Sequence, residues 1–133
     1  MEKKSTKKGK AITTVKLTKN SKLYKTIIKS IQDKKGEDIV IIDLRNNIEA
    51  VADFFVICTA TSSTQIKAIA DFIIDEVEIN CQEKPYKKEG YTGQQWILID
   101  YVNIVVHVMH PNSRTFYKLE EMWSDGEISA VEN

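Results

Sequence analysis

A chain of 133 residues with 42% hydrophobic content can bury a real core, and at this length one core means one domain. No apolar run approaches the span of a bilayer and the N-terminus lacks the apolar stretch of a secretory signal, so a soluble, cytoplasmic protein is expected. The formal net charge of zero hides two opposed parts: residues 1–22 hold eight lysines against Glu2 alone, a net of +7, and the remainder carries −7.

Residues 1–20 are Lys-rich and weakly apolar, a composition that cannot fold alone and reads as a disordered basic arm. Contact with nucleic acid phosphates and a solubilising tail are both compatible with it. Leu23, Ile27 and Ile31, flanked by Tyr24 and Ile28, then form a helical stripe that starts after Asn20 or Ser21 and ends at Gly36. Ile39 to Leu44 and Phe54 to Thr59 are short runs rich in β-branched or aromatic residues, separated by a polar Arg45-Asn46-Asn47 turn, and predict two strands. Ser62 with Gln65 three residues on matches a capping box, after which Ile66, Ala70, Ile73 and Val77 repeat at helical spacing to about Cys81. Cys58 in its strand and Cys81 at the helix end read as small hydrophobes rather than a disulfide or redox pair.

After Pro85 a short extended piece is expected near Tyr86, followed by a hairpin with a tight turn at Tyr101-Val102-Asn103. Because strand residues alternate sides, one hairpin face collects Ile97, Ile99, Ile104, Val106 and Val108, an aliphatic set suited to packing under helices. The other collects Trp96, Leu98, Asp100, Val105, His107 and Met109. Aromatics and Met concentrate at interface centres, so this second set reads as a docking surface, against the alternative that a helix or the C-terminal tail covers it. Asn112 or Ser113 can cap a last short helix carrying Phe116 and Leu119, with Phe116 and Trp123 expected to pack it against the sheet. The order is α-β-β-α-β-β-β-α, an α+β domain of about five strands over residues 21–125, with a C-terminal tail at 126–133.

Catalytic alternatives have weak support in the residues. Nucleotidyl transfer needs grouped metal-holding carboxylates, whereas Asp43 and Asp53 each stand alone in their stretches. The Thr61-Ser62-Ser63 loop lies at a helix N-terminus that could hold a phosphate, but it has no Lys and is better read as a cap. His107 and His110, three apart on a strand, point to opposite faces and lack metal-ligand spacing, so neither a metal nor a cofactor is expected.

The segments Asp53 to Ser63, Glu89-Gly90, Trp96 to Asp100, Val105 to Met109 and Arg114 to Glu120, with Trp123, resemble the ribosomal silencing factor family (RsfS, Iojap-like). The resemblance runs in order from about Ser21 to Asp125. It departs at Ala60, where the family usually has Gly, and at Val102-Asn103, where it usually has Gly-Asp; Gly at φ > 0 suits a type I′ turn and Val does not. The resemblance implies that the strands form one mixed sheet with helices on one side, in a nucleotidyltransferase-like fold. It also implies binding to the large ribosomal subunit through ribosomal protein L fourteen and a steric block of subunit joining that represses translation. Trp96 matches the family motif as the expected anchor, with Leu98 and Met109 as its apolar surround and Asp100 and His107 as polar partners. In this setting the acidic body is expected to choose a basic ribosomal protein over rRNA, and rRNA contact falls to the basic arm. An exposed apolar strand face also invites homodimer formation when the partner is absent. The alternative in a different class is a nucleotide-binding or nucleotidyltransferase-like enzyme using Asp43, Asp53 and the Thr61 to Ser63 loop.

Overall fold

The computed structural model describes residues 21–47, 49–123 and 126–132, and the basic arm of residues 1–20 lies outside the described residues. Ser21 caps the first helix, α1 (Lys22–Asp33), its Oγ accepting from the Tyr24 N–H at 3.2 Å, and Leu23, Ile27 and Ile31 form the buried stripe. Strand β1 (Glu37–Asp43) runs antiparallel to β2 (Phe54–Thr59), with an irregular register between Glu37 and Val40. Helix α2 (Ser63–Cys81) is capped as its sequence predicts, the Ser62 Oγ accepting from the Gln65 N–H at 3.1 Å. It ends at Gln82, whose left-handed backbone stops further helical bonding.

Strands β3 (Lys87–Glu89), β4 (Trp96–Asp100) and β5 (Ile104–Met109) follow. They join one six-stranded sheet ordered β3-β4-β5-β2-β1-β6, in which β2 and β5 pair parallel and every other pair is antiparallel. The parallel pair occupies the centre, and every residue of β2 and β5 is buried, as expected of strands covered on both faces.

The sixth strand corrects the sequence expectation. Residues 126–133, read as a tail, contain β6 (Glu127–Val131), which pairs along β1 from Ile39↔Val131 to Asp43↔Glu127. The single last helix is also two: α3 (Pro111–Tyr117) and α4 (Leu119–Met122), broken where Lys118 takes φ 52°. Its cap is His110 rather than Asn112 or Ser113. The His110 Nδ1 accepts from the Asn112 N–H at 3.1 Å and Pro111 fills the first helical position, where a missing N–H costs nothing.

Two apolar clusters sandwich the sheet. On one face α1 and α2 cover Ile39, Ile41, Phe54, Val56, Ile97, Ile99, Ile104, Val106 and Val108. On the other, Ile42, Phe55, Ile57, Val105 and Met109 pack with Leu44, Ala52 and Leu119, and Trp96, Leu98 and Trp123 close the margin.

Candidate protein-docking site

The hairpin register pairs Trp96 with Met109, Leu98 with His107 and Asp100 with Val105, so all six share one face, as alternation predicts. The turn that sets this register is unusual. Val102 has a positive φ, 74°, and the Asn103 N–H donates to the Tyr101 carbonyl at 2.9 Å across it, the bond of a γ-turn centred on a β-branched residue. The Asp100 Oδ1 supports it by accepting the Val102 N–H at 2.7 Å, so this carboxylate is partly engaged within its own chain.

Within the face, depth separates the residues. Met109 is fully buried and His107 is 3% exposed, whereas Trp96, Leu98 and Asp100 on β4 are half-buried. The solvent-reachable members of this face are therefore Trp96, Leu98 and Asp100, with His107 and Met109 beneath them.

His107 is held from two sides. Its Nδ1 accepts the Trp96 indole N–H at 3.0 Å, the Phe55 ring lies 4.9 Å away, and its buried Nε2 has no hydrogen-bond partner among the described residues. Burial pushes the imidazole down to about 4, which keeps it neutral at physiological pH.

Helices α3 and α4 complete the site with residues the sequence reading had placed inside or passed over. The Tyr117 ring packs on Trp96 at 4.7 Å and the Phe116 ring on Tyr117 at 5.0 Å, forming a row of three aromatics. Phe116, expected to pack against the sheet, is 76% exposed, and Met122 is 65% exposed. Trp123 does pack inward, edge-on to Phe55 at 5.6 Å. Nothing in the spacing of this seven-residue helix required an inner face for Phe116, and the structure buries none of its residues.

Arg114 anchors this pair of helices. Its Nε and Nη2 donate to the Glu120 Oε2 at 3.1 and 2.8 Å, and its Nη1 donates to the Asp38 carbonyl at 2.6 Å, tying α3 to α4 and to β1. A cleft of about 400 Å³ opens beside it, lined by Asp38, Thr59, Arg114, Lys118 and Glu120.

The residues weighed for catalysis have structural work. The Asp43 carboxylate takes the Arg45 guanidinium at 2.9 and 2.6 Å as well as the Arg45 N–H, and Ser62 caps α2. No group of three or more His, Cys, Asp and Glu side chains is placed to hold a metal among the described residues. Burial pushes the Cys58 thiol up to about 12, which suits a core residue rather than a reactive one.

Comparison with known proteins adds lineage to this geometry. Residues 6–133 match the family model described as ribosomal silencing factor during starvation. The chain is 38% identical over 111 residues to the ribosomal silencing factor RsfS of Bacillus subtilis strain 168, covering 83% of this chain and 92% of that protein. It is 27% identical over 100 residues to the mouse protein named mitochondrial assembly of ribosomal large subunit protein 1, covering 74% of this chain and 43% of that protein. A crystal structure from Bacillus halodurans superposes with a TM-score of 0.70 at 32% identity, covering 86% of this chain and all of that one. A family model that spans nearly the whole chain, with a solved relative of the same fold, makes the conclusion direct: the chain belongs to the ribosomal silencing factor family.

Proposed function

We propose that this protein is a ribosome-associated silencing factor that docks on the large ribosomal subunit through ribosomal protein L fourteen and represses translation by blocking subunit joining sterically. The observation that carries the reading is the surface row Trp96, Tyr117 and Phe116, with Leu98 beside Trp96 on β4: half-buried to exposed apolar side chains on an otherwise acidic body. Such a row can anchor in a partner's apolar pocket while acidic surroundings favour a basic protein over bare RNA. The names of the relatives support a ribosomal setting, and that of the mouse protein supports the large subunit. The action is occupancy without chemistry; Asp43 held by Arg45 and Ser62 spent as a cap leave the nucleotidyltransferase-like alternative with little to work with.

Co-sedimentation with isolated large and small subunits tests the proposal. Binding to large subunits alone is expected, and Phe116→Ala, at an exposed position where truncation spares the core, should weaken it by about 1 kcal/mol or more. Equal binding to both subunits, or none to either, would reject the docking reading.

A further inference from the structure

Two side chains in the docking face depend on each other in a way their separate roles do not explain. An indole N–H can only donate, so the 3.0 Å contact from Trp96 Nε1 requires a bare lone pair on the His107 Nδ1. A proton on Nδ1 would set two donors head to head. His107 is therefore neutral with its proton on Nε2, and that N–H lies buried with no partner among the described residues. A buried donor left unpaired is a cost that Leu or Phe at this position would avoid. What the imidazole supplies in return is the acceptor for Trp96. Among the described residues, Phe55 from β2 and Trp96 from β4 lie against the ring, and Ile57 on β2 and Leu98 on β4 are its register partners; none of these titrates.

We propose that His107, as its Nε2–H tautomer, is a positioning residue that locks the Trp96 indole so that the row Trp96, Tyr117, Phe116 is preformed before the partner arrives. Preforming an aromatic anchor lowers the ordering cost of association. This role rests on the docking reading above, but the lock itself is a property of the free protein and can be judged alone.

The experiment uses full-length protein and nuclear magnetic resonance. Its two tryptophans, Trp96 and Trp123, give two indole N–H signals, assigned with Trp96→Phe. In the wild type, His107 is expected to show the Nε2–H tautomer, and the Trp96 indole proton to exchange slowly with solvent. His107→Phe, which fills the space but offers no acceptor, should shift the Trp96 signal upfield and weaken binding to isolated large subunits about ten-fold. His107→Asn, whose amide oxygen can stand where Nδ1 stood, should restore the signal and most of the affinity.

An Nδ1–H tautomer in the wild type would overturn the lock, and this readout needs no variant to fold. So would an unmoved Trp96 signal in folded His107→Phe, or failure of His107→Asn to restore it. If both His107 variants bind as wild type while Trp96→Ala binds weakly, positioning is overturned and docking stands. If Trp96→Ala itself binds as wild type, the Trp96 anchor fails and preformation for binding fails with it, whatever the tautomer.

Discussion

With φ at +94° and a would-be Cβ only 2.0 Å from the Trp96 carbonyl oxygen, Gly90 has no room for a side chain. Gly90→Ala should destabilise the fold by about 2 kcal/mol or more, since strain and overlap act together at the start of β4. An unchanged midpoint in urea denaturation would contradict this. Val102 presents the opposite case, a β-branched residue held at φ 74°. Val102→Gly relieves that strain but loosens the unfolded chain, leaving an expected gain of up to about 1 kcal/mol. A lower midpoint for the variant would show that Val102 is not strained. At His107 the linkage has a definite sign. The folded imidazole titrates near 4 and the ordinary value is 6.5, so the unfolded chain takes up the proton first as pH falls. Stability attached to the neutral ring is complete above about pH 6.5 and is lost progressively towards pH 4, on the order of 3 kcal/mol in all. His107→Asn should lack this component; identical stability profiles for wild type and variant between pH 7 and 4 would exclude it. The sequence shows the residue types at these positions, but a depressed imidazole requires knowing that the ring is covered.

Among the elements, α3 and α4 depend on a tether more than on a buried stripe. Leu119 is the one buried residue assigned to either helix, and Arg114 links both to β1 through Glu120 and the Asp38 carbonyl. Arg114→Ala should therefore cost about 1–3 kcal/mol and raise hydrogen exchange across 111–122 ahead of the sheet. Uniform protection in the variant would assign the anchoring to Leu119 alone. The sequence signals were local: apolar spacing for α1 and α2, and the Ser62 capping box for α2; the structure retains them, with Ser21 capping α1. β6 lacked any such signal: none of its five residues is buried, and they become a strand by pairing with the edge that β1 presents. The break at Lys118 was equally unreadable, because a left-handed residue other than Gly follows from what the flanking helices pack against.

For the molecule as a whole, a steric blocker and a catalyst differ in stoichiometry. Titrating separated subunits with this protein and resolving them on sucrose gradients should reduce subunit joining in proportion to occupied large subunits, without added nucleotide and without slow turnover. A trace that eventually inactivates a large excess of ribosomes would instead establish catalysis. The charge division adds a second expectation, that removing residues 1–20 preserves subunit choice but flattens the salt dependence of binding, as expected if lysines of the arm release counterions from rRNA. Equal salt slopes would make the arm a passive tail. By itself the sequence determined what depends on neighbours along the chain: the two long helices and the Ser62 cap, the central strands, and the parity that puts Trp96, Leu98, Asp100, His107 and Met109 on one hairpin face. Tertiary structure decided what covers that face. Alternation sets the direction of a side chain but not its depth, and depth depends on where residues far away in sequence settle. Here Leu119, Trp123 and the Leu44 to Ala52 connection close over Met109 and the Phe55 side of His107, while Trp96 and Leu98 remain at the margin and Phe116 is left facing outward.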